Sequence, residues 1–260
     1  MMRRSWGRAA PLPPCRHPTS AHWPSVNIAV ISDLHLGNED GVDSFGHVDG
    51  EFLRFLTFLE SNFERVVLLG DIWETLTPRC PFSPRRGLAE ARERHSEIAR
   101  RFMRPSYTYI HGNHDLVAAR VDGAPEQWSL DVDGKRLLFM HGHPYDGLIR
   151  VARHIVELGV FLGGWIRRAG WHRLYQRLDQ LDQKRSAVSL DAARCTFQAW
   201  AMDVASNAAA DIVVTGHTHV PVSTQHGARL YMNSGSCSNG RYTYLALDTQ
   251  RDVYGVHHAW

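Results

Sequence analysis

Short, unbroken apolar runs punctuate this chain, and each is closed by a small polar cluster. Residues 28–31, 66–69, 137–140 and 212–214 are apolar, while 107–110 is aromatic and β-branched. Continuous rather than alternating runs of this length predict strands buried on both faces, as in a largely parallel sheet. Between the first two runs, Phe52, Phe55, Leu56, Leu59 and Phe63 recur at helical spacing and mark one face of an amphipathic helix. The strand–helix–strand order predicts an α/β fold with crossover helices. Three prolines make 77–87 a loop, and a charged helix over 88–101 leads to the third strand. Residues 147–210 contain no strand-like stretch and read as two or three helices, with 155–166 strongly apolar. Strands return over 229–232, 242–246 and 253–256, with 233–236 as a turn.

The polar clusters carry the chemistry. They read Asp33-Leu34-His35, Gly70-Asp71, Gly112-Asn113-His114-Asp115, His141-Gly142-His143 and Gly216-His217-Thr218-His219. Side chains at the carboxyl ends of neighbouring strands converge on one crevice, where open α/β sheets bind their ligands. Carboxylate, amide and imidazole donors without thiolates suit Mn, Fe, Zn or Mg. A lone Asp at a strand end is ordinarily a turn or helix cap; five such clusters in one chain point to a metal centre.

Composition narrows the picture further. The 43% hydrophobic and 22% charged residues are ordinary globular values. A net charge of +2 gives no argument for nucleic acid, and none is expected as a partner. Of the 16 histidines, many lie in the five clusters. Cys15, Cys80, Cys195 and Cys237 are scattered without a Cys-x-x-Cys pair, which suggests reduced thiols in a cytoplasmic protein. Residues 1–25 are rich in Pro and Arg, lack the apolar core of a secretory signal, and read as a disordered extension before a domain spanning 26–260.

Taken in order, the five blocks resemble the calcineurin-like metallophosphoesterase superfamily, whose pattern is Asp-x-His, Gly-Asp, Gly-Asn-His-Asp/Glu, His and Gly-His-x-His. The resemblance implies an αββα sandwich with a binuclear metal site. It implies that Asp33, His35, Asp71 and His219 hold one divalent ion. Asn113, His141 and His217 would hold the other, with Asp71 bridging; Mn²⁺ is the first candidate, and Fe, Zn or Mg are alternatives. A hydroxide bridging the ions would attack phosphorus while His114 protonates the leaving oxygen. Asp115 is expected to orient that imidazole and raise its pKa. His143 reads as a supporting or solvent-facing residue, Asp146 as a loop residue, Trp73 as packing and Glu74 as a hydrogen-bond partner near the site.

The helical stretch after the fourth block, with Tyr231-Met232-Asn233-Ser234-Gly235, looks like the branch containing UDP-2,3-diacylglucosamine hydrolase. That branch implies a helical lid over 147–210, a lipid-linked pyrophosphate substrate and peripheral membrane contact through the insertion. Arg150 and Arg153 are then candidates to contact substrate. The branch typically carries Arg where this chain has His114. A phosphate leaving group, with a pKa of about 6, needs little protonation. An alkoxide, nearer the ~15.7 of water, needs an acid. His114 therefore directs the reading toward a small-molecule phosphomonoester or phosphodiester, with the nucleotide-sugar pyrophosphatase as the alternative. A non-catalytic scaffold of the same fold would have lost ligands, and none is missing here.

Overall fold

A computed structural model describes residues 26–38, 44–76, 83–145 and 195–260. Two five-stranded mixed sheets lie at its centre. The first is built from β1 (Asn27–Ile31), β2 (Arg65–Leu69), β3 (Tyr107–Ile110), β9 (Tyr244–Asp248) and β10 (Val253–His257). Their spatial order is β10-β9-β1-β2-β3. The second holds β4 (Gln127–Val132), β5 (Lys135–Met140), β6 (Ile212–Thr215), β7 (Val222–His226) and β8 (Arg229–Asn233), in the order β4-β5-β6-β8-β7. The pairs β1–β2, β2–β3, β5–β6 and β6–β8 are parallel. All five apolar runs that close in a polar cluster are central or parallel-paired strands, so their ends share a direction within each sheet.

Side-chain alternation divides the apolar residues into layers. Ile28, Val30, Val67 and Leu69 of the first sheet meet Leu137, Phe139, Ile212 and Val214 of the second in one core between the sheets. Ile31, Val66 and Leu68 face outward, against α1 (Asp49–Asn62), α2 (Pro84–Arg94) and α3 (Ser96–Phe102). A short α4 (Ala118–Val121) follows the third polar cluster. On the far side, Leu138 and Val213 pack against α5 (Thr196–Asn207) through Phe197, Ala201 and Ala205. The result is the expected αββα sandwich. Burying about 25 cal/mol per Å² of apolar surface on both faces of each sheet is what makes the unbroken apolar strands favourable.

Three sequence readings are corrected. The single charged helix over 88–101 is two helices, because the fully buried His95 interrupts it to bond Asp49 Oδ1 (2.8 Å) and the Gly37 carbonyl (3.1 Å). Asn233 is the last residue of β8 rather than the first of a turn. The loop read over 77–87 gives way at Pro84, the first residue of α2, and the final part of 147–210 holds α5, packed on the second sheet. Residues 146–194, with Asp146, Arg150, Arg153 and the apolar stretch 155–166, lie outside the described residues, as does 1–25. Among the described residues no helix is long and apolar enough to cross a membrane.

Candidate metal centre

Beyond their last ladder hydrogen bonds, the strands carry on in an unusual conformation. Asp33, His35, Asp71, His217 and His219 all have left-handed backbones, with φ between 50° and 68°. Among the described residues only nine non-glycine positions do, and five of them are these ligand candidates. The conformation costs a non-glycine residue on the order of 1–3 kcal/mol, and it is held by its surroundings. Asp33 N–H donates to the Gly70 carbonyl (3.0 Å), His35 N–H to Asp71 (3.0 Å), and Leu36 N–H to Ile72 (2.9 Å). The β1 and β2 extensions thus remain zipped together, turning Asp33, His35 and Asp71 toward one another.

Two glycines show how closely the clusters interlock. A Cβ on Gly112 would lie 2.2 Å from Asp71 Oδ1 and 2.8 Å from the His141 ring. One on Gly216 would lie 2.8 Å from Asp33 Oδ2. Each glycine leaves room for a ligand candidate from another cluster, which is a physical reason for its place in the motif.

The side chains gather into sets able to hold ions. Asp33, His35 and His219 offer atoms within 4.8 Å of one another; so do Asp71, His141 and His217, and so do His35, Asp71 and His114. His219 Nε2 lies 3.1 Å from Asp33 Oδ1, and His141 Nε2 lies 3.2 Å from Asp71 Oδ2. Asp33 Oδ1, His35 Nε2, Asn113 Oδ1 and His141 Nε2 are all buried without a hydrogen-bond partner. Leaving several such atoms unpaired is costly, and buried charges are ordinarily paired or bound to metal. These orphaned atoms, on three different strands' ends, are of the right chemical type for divalent cations, and Asp33, His35 and His141 belong to the donor sets above. His141 donates from Nδ1 to the Leu69 carbonyl (2.9 Å), and His35 Nδ1 faces Glu74 Oε2 at 3.6 Å. Both rings therefore present Nε2 inward, the usual means of fixing a ligand imidazole.

Electrostatics follow from this crowding. Burial opposes ionisation of Asp71, but the His141 and His114 imidazoles outweigh it and hold the carboxyl well below its ordinary range. Burial likewise disfavours the charged form of His114; Glu74, then Asp71, overcome it and raise the imidazole to about 10.

The charge of Asp115 adds to the rise of the His114 pKa, as expected, while its hydrogen bonds go elsewhere. Its buried carboxylate accepts hydrogen bonds from the N–H groups of Gly112 (2.6 Å), Ile72 (2.7 Å) and Trp73 (3.3 Å) and from the Tyr109 hydroxyl (2.7 Å). It pins the second cluster to the third. The partner of His114 is Glu74, whose Oε2 sits 2.8 Å from Nδ1. Sequence adjacency favoured Asp115; the signal for Glu74 was its position three residues after Asp71, on the extension that the Leu36–Trp73 bridge holds beside β1. Trp73 is buried in the core and carries Arg92 over its ring. His143 is buried, 5.8 Å between ring centroids from His141 and 5.6 Å from His111, not solvent-facing.

Comparison with known proteins gives the family of the chain. The family model for calcineurin-like phosphoesterases matches residues 26–221, and the chain belongs to that family. Two curated relatives are described as UDP-2,3-diacylglucosamine hydrolase. One, from Blochmanniella pennsylvanica (strain BPEN), is 26% identical over 75% of this chain and 80% of its own length. The other, from Serratia proteamaculans (strain 568), is 30% identical over 45% of this chain and 48% of its own length. Among solved structures, one described as a novel archaeal phosphodiesterase aligns with a TM-score of 0.44 and 16% identity, over 90% of this chain and 99% of its own. Family and relatives together support phosphoesterase activity.

Proposed function

We propose that this protein is a binuclear metal-dependent phosphoesterase in which His114 is the general acid. The observation that carries this reading is the gathering of Asp33, His35, Asp71, His141, His217 and His219 into overlapping donor sets, with buried, unpartnered atoms on Asp33, His35 and His141. Asp33, His35, Asp71 and His219 would hold one ion, and Asn113, His141 and His217 the other, with Asp71 between them. Divalent ions held there supply Lewis-acid stabilisation of phosphoryl charge and a nucleophilic water at neutral pH. The chain's own residues do the rest. Glu74 fixes the His114 ring through Nδ1, which leaves Nε2 for the leaving oxygen. In the metal-free site Glu74, then Asp71, raise the His114 imidazole to about 10, which favours the protonated ring that a general acid needs. Mn²⁺ is the proposed native ion.

A proton donor so placed suits esters whose alkoxide leaving groups need one, and the substrate we favour is a phosphomonoester or phosphodiester. A second reading, a nucleotide-sugar lipid pyrophosphatase, is favoured by the two relatives described as UDP-2,3-diacylglucosamine hydrolase. Hydrolysis of p-nitrophenyl phosphate, bis-p-nitrophenyl phosphate and UDP-2,3-diacylglucosamine with Mn²⁺, before and after chelation, separates the two. Activity on every substrate that survives exhaustive chelation would refute metal dependence altogether.

A further inference from the structure

Beyond residue 221, where the family match ends, the tip of β8 enters the site from behind. Asn233 is fully buried, and both ends of its amide are hydrogen-bonded. Nδ2 donates to the Gly216 carbonyl (2.7 Å) and to Thr215 Oγ1 (2.9 Å), while Oδ1 accepts from the Gly235 N–H (2.9 Å). Gly216 opens the turn that carries His217 and His219, both in the left-handed conformation. A side-chain amide is thus clamped onto the first peptide of a turn whose backbone would not adopt that shape unaided.

Ser234, the next residue, reaches the other sheet. Its Oγ lies 2.6 Å from Ser32 Oγ, and Ser32 Oγ lies 2.5 Å from Asp33 Oδ2. Ser32 has one proton, and the charged carboxylate is its strongest acceptor. The Ser234 hydroxyl has two acceptors in reach, Ser32 Oγ at 2.6 Å and the Thr215 carbonyl at 3.1 Å, and with the Ser32 proton on Asp33 the shorter contact is a hydrogen bond when Ser234 donates to Ser32. The His217 backbone N–H also donates to Asp33 Oδ2 (3.2 Å). Asp33 therefore has Oδ2 committed to three-dimensional support and Oδ1 turned toward His219 Nε2.

We propose that Asn233 and Ser234 are positioning residues that set the metal-facing geometry of both sheets: Asn233 through the Gly216–His219 turn, Ser234 through Ser32 and Asp33. This inference rests on the metal-centre reading above. Supporting partners of this kind are typically worth about 10–100-fold in metal affinity.

The test is Mn²⁺ titration by isothermal calorimetry of metal-stripped wild type, Asn233→Asp and Ser234→Ala, with thermal melting of each metal-free protein. Asn233→Asp keeps the shape but sets an acceptor against the Gly216 carbonyl. It should weaken Mn²⁺ binding by about 10–100-fold. Ser234→Ala should cost up to about tenfold, at the low end of the same range. The metal-free melting curves should stay cooperative, and turnover should return toward wild type at saturating Mn²⁺, which a general loss of structure would not allow. Should Asn233→Asp fail to fold, Ser234→Ala carries the test alone. Folded variants that bind Mn²⁺ as tightly as wild type would overturn the positioning role while leaving the metal reading intact. A wild-type protein that bound no divalent ion would instead defeat the metal reading itself.

Discussion

The two sheets contribute unequal halves to the centre. From the first come Asp33, His35 and Asp71, all buried, together with Asn113, His114 and Glu74; their backbones are zipped together or pinned by Asp115. From the second come His141, fully buried, and His217 and His219, which are progressively more open; the His219 side chain is 49% exposed. The first half, with His141 beside it, is a buried floor, and His217 and His219 form a more open rim. Rigid, desolvated donors make charge stabilisation effective, because they need no reorganisation when charge develops. An exposed imidazole can yield to an incoming group at lower cost.

Substitutions in the two halves should differ accordingly. Asp71→Asn removes the carboxylate shared by two ligand sets and should take hydrolysis to background; plasma-emission analysis of the purified variant should find less metal per chain than in wild type. Two ions retained with full turnover would refute the bridging role. His114→Ala keeps the floor but loses the acid, and alkyl phosphate cleavage should fall by about 10²–10⁴-fold. Its p-nitrophenyl phosphate activity should change far less, since that leaving group needs no proton; an equal drop on both would make His114 a binding residue. His219→Ala, on the rim, should raise the Mn²⁺ concentration for half-maximal activity yet recover most turnover at saturation. If it proved as irreversible as Asp71→Asn, the distinction between floor and rim would fail. Glu74→Gln should have the smallest effect on turnover and the clearest on titration. In metal-free protein followed by NMR, the His114 ring should lose its proton near 10 in wild type. Without the Glu74 charge that value should move down, toward the ordinary histidine value of about 6.5. A titration left in place would mean that Asp71 and the rest of the site set it.

Four of the five runs that end in polar clusters were legible as strands because a strand buried on both faces must be apolar throughout; the other, β3, lies at a sheet edge and was legible from its aromatic and β-branched residues. Strands β4 and β7 were not, since each lies at an edge of its sheet and alternates. Gln127, Ser129 and Asp131 point out to solvent in one, Ser223 and Gln225 in the other. Period-two alternation of Trp128, Leu130 and Val132 was the available signal. The break between α2 and α3 depended on a buried His95 bonding to residues 46 and 58 positions away, which no local pattern encodes. At the centre, the residue types were readable from spacing, but the partners were not. Asp115 and Glu74 are both carboxylates close to His114 in chain or in space, and only the parallel pairing of the β1 and β2 extensions decides between them.

The left-handed positions of the candidate ligands bear on how this sequence could drift. Asp, Asn and His are the side chains that, after glycine, most readily accept a positive φ, while β-branched residues are genuine outliers there. A library randomised at 33, 35, 71, 217 and 219 and selected only for a stable, soluble fold should therefore not return arbitrary residues. It should be enriched in Gly, Asn and Asp and depleted in Val, Ile and Thr, even with metal withheld throughout. A descendant that abandoned hydrolysis would then keep much of the lettering of the site, because the backbone turns at those positions favour the same residues as the ions.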